Sequence, residues 1–387
     1  MSPHALTAPQ YGTGTLADLM PAVVRSLGVD LLDRVLPEVA PSGPLALAPT
    51  ERACVLLVDG LGDLLLRERA GHAPFLRGQL ERTGTLTAGF PTTTATSMGS
   101  LGTGLPPGAH GLVGYEVLVP ERDELLNELS WEPAVDPRRW QRETTMFQHA
   151  AAAGLDVVRI GPGFFDGSGL TEAALRGGRF VAADSLDDRV DAAIAALRAS
   201  PRALVYVYWG DVDKVGHVSG CGSWEWGEEL ARVDLAVRRL VGGLPRGTTL
   251  HVTADHGMVD VPHHQRIDLA HDAELAKDVR HSGGEPRCPQ LYCEPDRAES
   301  VQATWTERLG ERADVLSRAQ AVDAGLFGVV ASHVTERIGD VVVVCRPGLA
   351  VVDSRRMRPA LLALVGLHGA LTPQESLVPL LTIDGPS

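Results

Sequence analysis

Four short apolar runs in this chain stop abruptly at glycine, aspartate or histidine. Residues 53–58 end at Asp59-Gly60, residues 156–160 at Gly161-Pro162, residues 204–209 at Gly210-Asp211, and residues 248–253 at Ala254-Asp255-His256-Gly257. Runs of Val, Leu and Ile without polar alternation suit strands covered on both faces, the habit of parallel sheets. A fifth run, 340–345, ends at Arg346-Pro347 and reads the same way. Between the runs, residues 17–27, 186–198 and 224–241 carry helical patterns. Strands alternating with helices predict an α/β sandwich with a central, largely parallel sheet flanked by helices.

Residues 259–338 differ in texture, with His263-His264, a Gly283-Gly284 turn and charged helical segments. They are expected to form an inserted cap on a core made of residues 15–258 and 339–387. A smaller insert is expected at 115–142, and residues 1–14 are an N-terminal extension. At 387 residues and 44% hydrophobic, the chain is long and apolar enough for a large core, which excludes general disorder. A net charge of −14 argues against gripping a nucleic-acid polymer. Five cysteines without a CxxC pair argue against a disulfide scaffold or a thiolate zinc site. The first twenty residues lack a secretory pattern, and no stretch approaches the roughly 18 apolar residues of a membrane span. The expected location is the cytoplasm, with no membrane and no obligatory protein partner.

In open α/β sheets, ligands bind beyond the carboxyl ends of the strands. Asp59, Asp213 and the pair Asp255-His256 all lie just past such ends, so three distant segments can deliver metal ligands to one edge. Asp213 and His217 are four residues apart, a spacing that a turn or a first helical turn brings onto one ion. Mixed His and Asp ligands suit zinc or manganese, whereas an all-oxygen set would suit magnesium or calcium. The segment Phe90-Pro-Thr-Thr-Thr-Ala-Thr-Ser-Met-Gly-Ser-Leu-Gly-Thr-Gly104 follows a strand expected at 84–88 and reads as a helix of small residues. One of its hydroxyls is expected to cap that helix. A hydroxyl at a helix N-terminus also lies where an anion or an alkoxide is stabilised.

The set Val58-Asp-Gly60, Pro91-Thr-Thr-Thr94 with Thr103-Gly104, His110-Gly111, Asp213-Lys-Val-Gly-His217, Thr253-Ala-Asp-His-Gly-Met258 and His368-Gly369 resembles the nucleotide pyrophosphatase/phosphodiesterase family of the alkaline phosphatase superfamily. The motifs occur in the family's order across residues 55–369. The wording around 209–217 and 366–379 further resembles actinobacterial phosphodiesterases of cyclic di-AMP.

The resemblance implies an alkaline-phosphatase-like fold, a small nucleotide substrate and two divalent ions, Mn2+ or Zn2+. It implies that Asp59, Asp255 and His256 hold one ion, that Asp213, His217 and His368 hold the other, and that Thr94 is the nucleophile of a phosphothreonyl mechanism. Two divalent ions against three carboxylates leave such a site near +1, able to attract an anionic diester despite the acidic surface. One departure stands out: where many relatives carry an Asn shortly after His-Gly, this chain has Tyr115. Tyr115, Trp209, Phe164 and Phe165 are candidates for stacking a base, and Arg287 is a candidate for reaching phosphate from the cap. The serine motif of a cofactor-independent phosphoglycerate mutase and the C/S-x-P-x-R of a sulfatase are absent. A nucleotide pyrophosphatase of nucleotide sugars or dinucleotides, a phosphonoacetate hydrolase-like enzyme and a non-catalytic nucleotide sensor are the alternatives.

Overall fold

The computed structural model describes residues 6–31, 45–82, 84–131 and 135–386; part of the expected N-terminal extension (1–5) and of the smaller insert (132–134) lies outside them. The strands that build the main sheet are β1 (Arg52–Val58), β2 (Gly84–Thr87), β3 (Asp156–Gly161), β4 (Arg179–Ala182), β5 (Ala203–Trp209) and β6 (Thr248–Thr253), joined by a strand from the end of the chain, Leu377–Asp384. The order is β2, Leu377–Asp384, β6, β1, β5, β3, β4. β6, β1, β5, β3 and β4 pair in parallel, whereas Leu377–Asp384 runs antiparallel to β6 and to β2. This is the mixed α/β sandwich with a mostly parallel sheet that the apolar runs imply.

Helices α1 (Leu16–Ser26), α2 (Thr94–Thr103), α3 (Leu186–Ala199), α4 (Asp211–Ser219) and α5 (Trp224–Gly243) flank the sheet. All three expected helices are present. The apolar core runs continuously from α1 through β1, β5 and β6 to α3 and α5. What positions the site is register: Val58 pairs with Trp209, and Leu57 pairs with Thr253. Three strands therefore stop at one level, and the residues after them share one edge of the sheet.

One expected core strand belongs elsewhere. Residues 341–345 do not join the main sheet; they form a second, antiparallel sheet of four strands. Its members are β7 (Val279–Glu285), β8 (Cys288–Cys293), β9 (Ala313–Ser317) and β10 (Val341–Cys345), in the order β7, β8, β10, β9. The boundary expected at 338 thus cuts through a sheet. The physical reason is that β10 is covered on both faces. Val342 and Val344 pack into the main core, while Val341, Val343 and Cys345 pack with Trp305 in a separate cluster. Double coverage removes the polar alternation by which an antiparallel strand is recognised. Within the smaller insert, a hairpin is formed by Glu116–Val119 and Glu124–Asn127.

Candidate active site

Asp59 follows β1, Asp213 and His217 sit one turn apart on α4, Asp255 and His256 follow β6, and His368 follows the short strand Gly366–Leu367. The structure gathers all six. Asp59, Asp255 and His256 form one group and Asp213, His217 and His368 another, each with ligand atoms within 4.8 Å of one another. The groups adjoin: the His256 ring of one and the His368 ring of the other stack at 3.8 Å. Gly60 is required here. Its φ is +71°, and a Cβ would stand 2.9 Å from the Asp213 Cα.

The donor set fits divalent cations on two observations. Asp59 Oδ1, Asp213 Oδ1 and Asp255 Oδ2 are buried without hydrogen-bond partners, a costly state for carboxylates unless a cation compensates them. The three imidazoles are turned alike. His217 Nδ1 meets the Gly366 carbonyl at 2.7 Å, His256 Nδ1 that of Gly257 at 3.0 Å, and His368 Nδ1 that of Thr92 at 2.8 Å. A backbone carbonyl can only accept, so each of these contacts is a hydrogen bond when Nδ1 carries the proton, which leaves Nε2 to offer a lone pair, the arrangement of a metal-ligating histidine.

Electrostatics point the same way. Burial, then the charges of Asp255 and Asp213, hold the Asp59 carboxyl well above its ordinary range. Asp213 is raised chiefly by burial, and His368 is lowered by burial and by His256 and His217. A cation reverses the pressure on the carboxylates and demands the neutral imidazole that burial already favours.

Thr94 is the first residue of α2, with its Oγ1 3.3 Å from His256 Nε2 and 3.5 Å from Asp59 Oδ2. The small residues behind it answer to packing: a Cβ on Gly99 would collide with the His110 ring, and one on Gly102 with the Ala174 carbonyl. Ser97 Oγ donates to the Asp255 carbonyl at 2.8 Å, tying α2 to the end of β6. The expected hydroxyl cap is not found. Thr93 is the N-cap residue, but its side chain makes no capping bond and donates instead to Glu285. The backbone N–H groups at this helix end are therefore not taken by a capping side chain. His110 is structural, its Nε2 3.1 Å from Ser100 Oγ, and burial and then Arg337 push it down to about 3.

Of the residues expected to touch substrate, two are placed otherwise. Trp209 is core: its indole N–H donates to Glu229 at 2.8 Å, and the Arg189 guanidinium stacks 4.7 Å from its ring. Strand alternation turns its neighbour Tyr208 toward the site, where the hydroxyl lies 2.5 Å from Asp59 Oδ2. Arg287 does not reach phosphate. It is fully buried in a two-armed pair with Glu375, Nε to Oε1 at 3.0 Å and Nη2 to Oε2 at 2.6 Å. The same segment delivers Glu285 instead, whose carboxyl burial pushes up to about 8. Tyr115 is half-buried and lines a cleft with Asn127, Glu285 and Arg356. Phe164 is exposed, whereas Phe165 lines a cavity shared with Thr94.

A family model described as type I phosphodiesterase / nucleotide pyrophosphatase matches residues 53–371. The chain belongs to that family. Its members are phosphoric diester hydrolases, and this chain is an enzyme of that class. Murine ectonucleotide pyrophosphatase/phosphodiesterase 5, solved as an inactive variant in complex with AMP, is similar in structure, with a TM-score of 0.70 at 19% identity over 87% of this chain and 88% of that one. The human counterpart gives 0.68 at 19% identity, with the same coverage. Phosphonoacetate hydrolase from Sinorhizobium meliloti, in complex with phosphonoformate, gives 0.66 at 21% identity over 87% of this chain and 91% of that one. At such identities the likeness is one of fold. No curated protein sequence matches the chain. Among the described residues, no helix is long and apolar enough to cross a membrane.

Proposed function

We propose that this protein is a two-metal phosphodiesterase of small nucleotides, with Thr94 as its nucleophile. The observation that carries the reading is the position of Thr94 Oγ1, 3.3 Å from His256 Nε2 at a helix N-terminus beside six converging ligands. Asp59, Asp255 and His256 would hold one divalent ion and Asp213, His217 and His368 the other, Mn2+ or Zn2+. When bound, such a pair lowers the pKa of an adjacent hydroxyl and neutralises charge on the attacking and departing oxygens.

The chain's own residues do the rest. Thr94 Oγ1 loses its proton and attacks phosphorus; the bond to the opposite ester oxygen breaks, and that oxygen leaves as the alcohol. Water then attacks the phosphothreonine in line, restoring the Thr94 hydroxyl and releasing a phosphomonoester. The α2 N-terminus faces the reacting phosphoryl group with its dipole. Tyr208 donates to Asp59 and fixes the direction of its carboxylate, while the carbonyls of Gly366, Gly257 and Thr92 fix the three imidazoles.

For the substrate we propose cyclic di-AMP, opened to pApA and cleaved on to AMP. The support is the likeness of residues 209–217 and 366–379 to the actinobacterial enzyme AtaC, together with an acidic surface that disfavours polymeric nucleic acid. A cytoplasmic location without a membrane or obligatory protein partner belongs to the same proposal. The test is a turnover screen on metal-stripped protein with Mn2+ and Zn2+ restored separately. Cyclic di-AMP, pApA, a nucleotide sugar, bis(p-nitrophenyl) phosphate and phosphonoacetate are its arms. Turnover of diesters alone is expected; cleavage of phosphonoacetate alone, or no turnover with nucleotide still bound, would replace this reading.

A further inference from the structure

Beside Thr94, a small cavity is lined mainly by apolar side chains, among them Met98, Phe165, Leu170 and Phe180. One charged side chain lines it. Arg159 lies on β3 directly beside Tyr206 of β5, only 7% exposed. Its Nε and Nη1 are buried and have no hydrogen-bond partner. The guanidinium stands 5.7 Å from the Phe180 ring centroid, a contact that supplies no acceptor. Asp166 and Glu172 influence Arg159 through their charge but do not bond to it, and Glu172 is engaged by Arg138 at 2.7 Å.

A buried cation without a bonded counter-charge is strongly disfavoured. Strand position β3 does not require one, since its neighbours Val158 and Ile160 are buried and apolar. A neutral acceptor on a base would satisfy the N–H groups but leave the charge uncompensated; an oxyanion satisfies both. The hydroxyls of Ser168 and Thr171 line the same cavity, bonded to each other at 3.0 Å, and offer further polar contact. Thr94 also lines the cavity, so a group held there belongs to the molecule whose phosphorus Thr94 attacks.

We infer that Arg159 receives a second phosphate of the substrate, so that the cavity beside Thr94 selects diesters carrying two phosphates over those carrying one. This deepens the phosphodiesterase reading and rests on it for the chemistry at Thr94, though not for binding in the cavity. Both cyclic di-AMP and pApA meet the requirement. The linear dinucleoside monophosphate ApA does not.

The test measures binding apart from turnover. With Thr94→Ala protein in Mn2+, calorimetry is expected to give a Kd for pApA at least about tenfold below that for ApA. Adding Arg159→Met is expected to bring the two constants together, and Arg159→Lys to keep part of the difference. Equal affinities before Arg159 is changed, or a preference for pApA that survives Arg159→Met, overturns the inference. Should Arg159→Met not fold, as judged by loss of its thermal transition, Arg159→Gln carries the same comparison. A chain that prefers pApA through Arg159 yet turns over no diester refutes the proposed function while upholding the subsite.

Discussion

Two of the buried arginines, Arg287 and Arg159, differ in what answers their charge. Arg287 is closed: Glu375 meets it with both oxygens, and the Arg346 carbonyl accepts from Nη1 at 2.8 Å. Arg159 is open, with Nε and Nη1 facing no acceptor. Depth alone does not separate structural charge from functional charge; completeness does. A closed ion holds segments together, here the turn before β8 and the helix Pro373–Ser376. An open one waits for a partner the chain does not supply. By that measure the three aspartates with orphaned oxygens stand with Arg159.

The largest expected effect lies at the centre of the open region. Thr94→Ala is expected to lower kcat by at least about 10³-fold with metal content unchanged by elemental analysis, since it removes the proposed nucleophile and none of the proposed ligands. Retained activity would move the chemistry to another group. Next, Asp213→Asn is expected to cut kcat/KM by at least about 100-fold and lower the bound-metal ratio. It should leave the melting temperature of the metal-free protein the same or higher, because it removes a partly buried carboxylate whose Oδ1 has no hydrogen-bond partner. A clear fall in that temperature would erase the line between open and closed.

The closed region should behave the other way. Arg287→Met leaves Glu375 buried and unpaired and is expected to cost about 3–5 kcal/mol in denaturant unfolding. Turnover per folded molecule should be nearly unchanged, and Arg287→Met with Glu375→Leu should recover much of the loss. An intermediate case gives the smallest effect. Glu128 accepts from the Trp140 indole at 2.7 Å, yet burial pushes its carboxyl up to about 8. Its folded value is raised, so its contribution is full below about 4.5 and is lost as pH rises toward 8. Glu128→Gln should flatten that decline in a series of melting curves. His110, held down to about 3, has the opposite sign: its contribution is present above 6.5 and lost as pH falls toward 3.

Much of this was legible because a parallel sheet ties chemistry to strand ends. Asp59, Asp213 and Asp255 declare themselves by following apolar runs, and register then brings them to one edge. The residues that escaped reading did so for definable reasons. Trp209 and Tyr208 are adjacent, and only the handing of alternate side chains to opposite faces decides which one enters the site. Arg287 reads as a free surface cation because Glu375 lies 88 residues away in sequence. Arg159 sits within a strand, where an arginine normally marks a solvent-facing position; its burial depends on what covers β3. Residues 341–345 read as part of the main sheet because coverage on both faces makes an antiparallel strand look parallel.

The ligands are also spread unevenly along the chain, with a consequence for how the enzyme is made. The first triplet is complete once His256 has been synthesised, but the second waits for His368, 112 residues later (368 − 256). At roughly 5–20 residues per second that is an interval of about 6–22 s on the ribosome. The nascent polypeptide therefore carries every donor of one proposed ion site well before the other is complete. A chain truncated within that interval keeps the donors of the first proposed site and lacks those of the second.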